Sequence, residues 1–190
     1  EKSACIVGAL RGNEIQQLYI CSQLVKALKE LEAHGAISHN HEILVIPSVN
    51  RFSMNVGKRF WPTDNSDINR AFPGDVNGDT TKQIAGTLFD RIKGYSYGIH
   101  FASFYMPGDF IPHVKMMDTG FQSASLANLF GLQYVVIRKP KPMDTVTLNY
   151  NWQMNGTNAF SIYTNSTDMI DEKSARQAVS SVLRFLTRMG

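Results

Sequence analysis

The strongest constraint on the fold is an alternation, along the whole chain, between short apolar runs and segments of helical periodicity. The apolar runs predict buried strands, and the periodic segments predict amphipathic helices. The predicted strands cover residues 4–10, 42–49, 97–101, 133–137 and 158–163. The predicted helices cover residues 14–33, 80–93, 122–130, 145–154 and 171–189. Strand–helix units in succession predict an α/β fold with a mostly parallel central sheet.

In such a fold, ligands bind beyond the carboxyl ends of the strands. The connections expected to build a site are residues 10–14, 50–78, 101–120, 138–145 and 163–170. Residues 50–79 stand out because they show no clear helix or strand, yet they are rich in arginine and aromatic side chains. This composition predicts an ordered, site-building loop, since long structureless stretches in compact domains are usually functional.

Size and charge narrow the class of protein. The chain has 190 residues, a formal charge of +3 and no basic block, and no apolar run is long enough to span a membrane. We therefore expect one domain over residues 1–190, with neither nucleic acid nor membrane as a partner. Cys5 and Cys21 lie in apolar pattern and are predicted to be buried thiols, which favours a reducing, cytoplasmic compartment. The abrupt start at Glu1 predicts a trimmed or fragmentary chain.

Several familiar motifs are absent or incomplete. The glycines of residues 8–12 match neither the dinucleotide fingerprint nor a phosphate loop, and the His-x-His at His39 and His41 lies in a polar turn. No Gly-x-Ser-x-Gly elbow occurs, which argues against a serine hydrolase of that type.

A more specific pattern is spread over separated segments. Residues 8–14 read Gly-Ala-Leu-Arg-Gly-Asn-Glu, residues 67–74 read Asp-Ile-Asn-Arg-Ala-Phe-Pro-Gly, residues 97–100 read Tyr-Gly-Ile-His, and residues 112–114 read Pro-His-Val. In order and spacing these segments resemble the succinylglutamate desuccinylase/aspartoacylase family, relatives of the zinc carboxypeptidases. The resemblance continues to residue 165 and so covers nearly the whole chain.

The resemblance implies a three-layer α/β/α domain and metal-assisted amide hydrolysis of N-acyl amino acids or small peptide-like amides. In the family, zinc is held by a His and a Glu of the first motif and by a second His, and a downstream Glu takes the proton of the metal-bound water. Glu14 and His100 match metal ligands. Asn69 and Arg70 match the groups that clamp the substrate, and Arg59 matches an upstream catalytic arginine.

The chain departs from the family pattern at three positions. Arg11 stands where the first histidine ligand is expected, and a guanidinium has no free lone pair for a metal. Gly98 replaces the Asp that precedes the second His by two residues. Tyr163 falls at about the position of the catalytic Glu, and a phenol is a poor base near neutral pH.

Two interpretations follow. In the first, zinc binds through Glu14, His100 and a substitute ligand, and the protein is a hydrolase. The candidates for that ligand are His113, Asp109, Asp118 and Asp168, and those for the base are Asp168, Asp171 and Glu172. Arg51 competes with Arg59 for the arginine role. In the second, Arg11 lies against Glu14 and replaces the charge of the metal.

The second interpretation predicts a metal-free pocket in which Arg11, Arg59 and Arg70 bind a small carboxylate-bearing molecule. Such a protein would be a non-catalytic pseudoenzyme, with a sensor or a partner subunit as possible roles. A weaker third alternative is an interaction module that uses exposed aromatic side chains near the site. The sequence leaves the oligomeric state, the acyl group and the amino acid open.

Overall fold

A computed structural model describes all residues from 1 to 190. Its centre is a six-stranded sheet with the order β2-β1-β3-β6-β4-β5. The strands are β1 (Lys2–Ala9), β2 (Glu42–Ser48), β3 (Tyr97–Phe104), β4 (His113–Met117), β5 (Tyr134–Arg138) and β6 (Asn158–Ser166). The helices are α1 (Ile15–Ala33), α2 (Arg51–Asn55), α3 (Thr80–Ile92), α4 (Leu148–Met154) and α5 (Glu172–Met189). Three 3-10 helices cover Ile68–Arg70, Ala124–Phe130 and Pro142–Val146.

The sheet is mostly parallel, as predicted. Strands β2, β1, β3 and β6 run in the same direction, so their carboxyl ends meet at one edge. Strand β4 is antiparallel to β6 and parallel to β5, so the last two strands run the opposite way. The expectation that ligands bind beyond the carboxyl ends of the strands therefore applies to four strands. Strands β4 and β5 instead present a face of the sheet to the site.

The sheet separates two hydrophobic cores, because successive strand residues point to opposite faces. In β1, Ala4 and Ile6 face the core under α1 and α5, whereas Cys5 and Val7 face the core under α3 and α4. Helices thus cover both faces and give the expected three-layer α/β/α arrangement.

The helices begin at recognisable caps. The side chain of Asp79 accepts a hydrogen bond from Lys82 N at the start of α3, and that of Asp171 accepts one from Lys173 N at the start of α5. Such caps satisfy backbone donors that a helix leaves unpaired. None of the helices combines the length and the apolar character that crossing a bilayer requires.

Four details differ from the sequence-based expectation. The segment 50–79, which showed no clear helix or strand in the sequence, contains the short helix α2 and the 3-10 helix Ile68–Arg70. Strand β4 lies inside a segment interpreted as a loop, because its alternation extends over only five residues. The segment 122–130 is a 3-10 helix rather than an α-helix. The helix expected over 145–154 divides at Thr147 into a 3-10 turn, which starts at Pro142, and the short α4.

Candidate functional site

All seven residues assigned to the site from the sequence line one cavity of about 490 Å³. These residues are Arg11, Glu14, Arg59, Asn69, Arg70, His100 and Tyr163. Each of the five connections expected to build the site contributes to the wall. The structure thus brings these side chains together, while the roles suggested for them stay predictions.

Glu14 lies at the entrance of α1 and is only 2% exposed. Its Oε1 accepts hydrogen bonds from the backbone N–H groups of Leu10 (2.9 Å) and Arg11 (2.8 Å). Its Oε2 accepts from Gln17 Nε2 at 3.2 Å and from the hydroxyl of Tyr105 at 2.8 Å. Burial raises the pKa of Glu14, whereas Arg11 and these donors oppose that rise. Both carboxylate oxygens are therefore already used by the protein.

Arg11 connects the first motif to the long connection between β2 and α3. Its Nε and Nη2 donate to the two carboxylate oxygens of Asp67, at 3.0 and 2.9 Å. Its Nη1 lies 3.7 Å from Glu14 Oε2. Arg11 does approach Glu14, as the metal-free interpretation requires, but its bidentate partner is Asp67, which that interpretation did not single out.

His100 lies near the end of β3 and is buried, and its Nε2 has no hydrogen-bond partner. Burial lowers its pKa to about 3, and the nearby charge of Arg11 adds to this effect. Gly98 lies two residues earlier, where a Cβ would come within 2.6 Å of Trp152 Cε3. The indole of Trp152 thus occupies the space that an Asp side chain at position 98 would need.

Tyr105 and Arg59 pack together at the mouth of the cavity. The guanidinium carbon of Arg59 lies 3.6 Å from the centroid of the Tyr105 ring and 4.7 Å from that of Phe60. The Tyr105 hydroxyl also accepts from Arg11 Nη1 at 3.2 Å.

Asn69 and Arg70 are presented by the 3-10 helix that begins after Asp67. The side chain of Asp67 caps this turn by accepting from Asn69 N at 3.0 Å. Asn69 Oδ1 accepts from the backbone N–H of Leu148 at 3.0 Å. Arg70 is exposed and makes only a long contact, 3.5 Å, to the carbonyl oxygen of Met143. Asp67 therefore positions Arg11 and this turn together.

Tyr163 lies on β6 among aromatic rings. It stacks on His113, with ring centroids 5.1 Å apart and an interplanar angle of 10°. Burial raises the pKa of Tyr163, so its hydroxyl remains protonated near neutral pH. Tyr163 thus cannot act as the general base that the family has near this position.

The remaining sequence candidates do not reach the cavity. The residues absent from its wall are Arg51, Asp109, His113, Asp118, Asp168, Asp171 and Glu172. Conversely, the wall includes polar residues that the sequence analysis missed, namely Lys115, Arg138, Asp144, Asn149 and Ser161. Short alternating strands were the signal that could have indicated Lys115 and Ser161.

A zinc ion fits these residues poorly. No three His, Cys, Asp or Glu side chains converge as metal donors. The oxygens of Glu14 are taken by protein donors, and a permanent positive charge lies 3.7 Å away. Metal-bound histidines usually have a carboxylate partner, but position 98 holds glycine beneath Trp152. The donor set that the family pattern implies is thus incomplete in this chain.

The fold and this constellation define a class of protein. The chain matches the succinylglutamate desuccinylase/aspartoacylase catalytic domain over residues 1–188, and it belongs to that family. The family comprises hydrolases of N-acyl amino acids, and its members are in general zinc-dependent.

The chain is also similar to particular proteins in sequence or in fold. An N-alpha-acetyl-L-2,4-diaminobutyric acid deacetylase of Halomonas elongata is 28% identical over 90 residues, which are 47% of this chain and 24% of that protein. A succinylglutamate desuccinylase/aspartoacylase from Rhodobacter sphaeroides has a TM-score of 0.80 at 19% identity, covering all of this chain and 56% of that one. The product-bound ectoine utilization protein EutE (DoeB) from Ruegeria pomeroyi has a TM-score of 0.77 at 19% identity, covering 98% and 57%. The chain spans little more than half the length of these solved structures.

Proposed function

We propose that this domain binds a small N-acylated amino acid, or a similar carboxylate-bearing molecule, without a catalytic metal. The observation that carries the proposal is the environment of Glu14. Four protein donors and the guanidinium of Arg11 surround its carboxylate, so the protein itself supplies what a metal would supply to this group.

The charge of the cavity supports an anionic ligand. Five cationic side chains line it, against the carboxylates of Glu14 and Asp144. Burial keeps His100 neutral near pH 7. Arg70 has no carboxylate partner and is free to bind one in a bidentate manner, as planar guanidinium groups do. Asn69 and Arg70 would then hold the carboxylate of the ligand, as the resemblance implies.

Titration calorimetry with N-acetylated amino acids tests this proposal. We expect the wild-type protein to bind, Arg70→Ala to weaken binding by about tenfold or more, and Arg91→Ala to bind like the wild type. Arg91 is an exposed cation on α3, outside the cavity, and controls for net charge. Equal binding by the Arg70→Ala and wild-type proteins would contradict the proposed ligand site.

Elemental analysis tests the metal-free part of the proposal. Protein purified without chelator is expected to hold far less than one zinc per chain. Arg11→His places an imidazole where the family pattern has its first histidine ligand. We expect this variant to hold more zinc than the wild type. Stoichiometric zinc in the wild type that is lost in Glu14→Gln and His100→Asn would refute the metal-free proposal.

One observation favours a second candidate, which is metal-dependent amide hydrolysis. The Nε2 of His100 is buried and unpartnered, whereas most buried polar atoms have a hydrogen-bond partner, and a neutral imidazole nitrogen can bind a metal. This candidate function requires the carboxylate of Glu14 to give up some of its present hydrogen-bond donors in favour of a metal ion. Hydrolysis of N-acetylated amino acids that depends on added zinc would support it. A cytoplasmic location, and the lack of nucleic-acid and membrane partners, stay predictions.

A further inference from the structure

A second cavity, of about 730 Å³, shares no wall residue with the candidate site. One side of it is helix α5, and the other is formed by the segments that lead into strands β4 and β5. We call this cavity the α5 groove. It comprises residues 111–112, residues 130–133 and the residues of α5 between Lys173 and Arg184 that line the same space.

The charge of the α5 groove has one sign. Lys173, Arg176 and Arg184 contribute cations to its wall, and no aspartate or glutamate lines it. Arg176 lies 3.7 Å from Glu172 Oε2 in an exposed pair. Lys173 and Arg184 take part in no ion pair of the structure. The protein thus leaves most of the positive charge of the groove uncompensated.

The cations are spread along one face of α5. Lys173, Gln177, Ser180 and Arg184 follow each other at spacings of three and four residues, so they lie in one row on the helix. The row rises by about 16 Å from Lys173 to Arg184. A compact anion cannot contact both ends of such a row, whereas an extended chain of about five residues spans it.

Arg184 is held at its end of the groove by Gly131. This glycine ends the 3-10 helix Ala124–Phe130 in the left-handed conformation, with φ of 70°. A Cβ at position 131 would lie 2.3 Å from Arg184 Nη1, so the guanidinium passes directly over a backbone that only glycine leaves open. The contact keeps the charge of Arg184 beside the groove.

The wall of the α5 groove also offers apolar surface. Ile111 is 53% exposed, although it is a large aliphatic side chain, and Leu132 is half-buried. An apolar side chain of a ligand can pack here while neighbouring acidic groups contact the cations. Nucleic acid fits less well, because the only aromatic residue of the wall, Phe130, is buried and presents no ring for base stacking.

We propose that the α5 groove binds an extended acidic segment of a partner protein, in which acidic residues flank an apolar one. Charge complementarity and the length of the cationic row determine this choice of partner. The inference goes beyond the proposed function and does not depend on it, because the two cavities have no residue in common.

A titration followed by nuclear magnetic resonance tests the groove. The probe is the pentapeptide Glu-Asp-Leu-Glu-Asp, blocked at both ends, and the control is its neutral counterpart Gln-Asn-Leu-Gln-Asn. We expect the acidic peptide to shift the backbone amides of residues 131–133 and 173–184 in labelled protein. The neutral peptide should bind about tenfold more weakly or not at all, and added salt should weaken the acidic peptide.

Matched variants assign the binding to the groove. Lys173→Gln combined with Arg184→Gln should weaken the acidic peptide by about tenfold, since two ion pairs are lost. Lys29→Gln combined with Arg188→Gln removes the same charge from exposed positions outside the groove and should leave the affinity unchanged. Arg70→Ala changes the candidate site instead, and the peptide should bind this variant like the wild type.

The remaining outcomes each overturn the proposal. Equal binding of the two peptides, shifts confined to the candidate site, or an unchanged affinity of the groove variant would show that the groove is not an acidic-peptide site. Citrate that shifts the same amides as tightly as the peptide would assign the groove to a compact anion. A single-stranded oligothymidylate with five phosphates that binds more tightly than the peptide would assign it to nucleic acid.

Discussion

Arg11 stands at one of the three positions where this chain departs from the family pattern, and its side chain contacts two carboxylates. It binds Asp67 in a bidentate manner and lies 3.7 Å from Glu14. Arg11 and Asp67 are 56 positions apart in the chain, so this pair fixes the long connection against the first motif. At the position where the family pattern has a metal ligand, this chain thus has a residue that holds two segments of the structure together.

The first prediction concerns how much the Arg11–Asp67 pair contributes to the stability of the fold. Arg11→Met leaves the largely buried carboxylates of Asp67 and Glu14 without their cation, and we expect a loss of about 3 kcal/mol in the free energy of unfolding. Arg176→Met breaks the exposed pair with Glu172 and should cost about 0.5 kcal/mol or less. Urea unfolding monitored by circular dichroism measures both. Equal losses for the two variants would show that Arg11 has no special role.

The buried imidazole of His100 predicts a pH dependence. Its pKa is about 3 in the folded protein, against an ordinary value of 6.5 in the unfolded chain. Between these values only the unfolded chain takes up the proton, so stability falls as the pH falls from 6.5 toward 3. The full contribution is roughly 5 kcal/mol.

The measurement compares the wild type with His100→Asn, which cannot titrate. The raised pKa of Glu14 acts in the opposite direction, because the folded protein then binds a proton more readily than the unfolded chain. The difference between the two proteins removes this contribution. A difference in stability that does not change with pH would contradict a neutral, buried His100.

At the scale of elements, the packing of α4 on β3 explains why an aspartate is absent from position 98. Gly98→Ala forces a Cβ against the Trp152 indole and should cost about 2 kcal/mol. In a Trp152→Leu background the same change should cost less, because the space is then free. A double-mutant cycle measured by urea unfolding gives the coupling. Additive losses would mean that the Trp152 ring does not exclude a side chain at position 98.

The elements with clear periodicity were predictable from sequence, and the exceptions have local causes. Helix α5 shows a continuous apolar stripe, and the observed bounds, Glu172–Met189, agree with the predicted 171–189. Strand β4 has five residues, too few for a pattern to separate it from a loop. The direction of β4 depends on pairing with β6, which is contact information that no local pattern contains.

The site was predictable only where motifs mark it. The order and spacing of the motifs predicted that Glu14, His100 and Arg70 share a site, and the structure brings them to one cavity. Lys115 was not foreseen, because its place depends on the direction of β4. Arg11 forms its bidentate contact with Asp67 rather than with Glu14. This preference depends on three-dimensional geometry, so the spacing of the motifs could not predict it.

For the whole molecule, the sheet joins two cores that should unfold together. Phe185 on α5 stacks on Phe130 at 4.2 Å and meets the edges of Phe160 and Tyr97. Phe185→Ala is expected to cost about 4 kcal/mol. The control, Leu31→Ala, changes an exposed side chain and should cost well under half of that.

The cooperativity of unfolding between the two cores can be measured, because Trp152 lies in the other core, across the sheet from Phe185. In a Trp61→Phe background, Trp152 is the only tryptophan. Fluorescence and circular dichroism should then give coincident unfolding curves, shifted together by Phe185→Ala. Separate midpoints would indicate that the two faces of the sheet unfold independently.

The stacking of Arg59 on Tyr105 has a thermodynamic consequence. An aromatic ring engages the flat face of a guanidinium and leaves its in-plane N–H groups unused, and the Nε of Arg59 indeed has no partner. The side chain is therefore held in one orientation before any ligand arrives. An anion that meets these N–H groups pays little of the rotamer entropy that a free arginine would lose on binding.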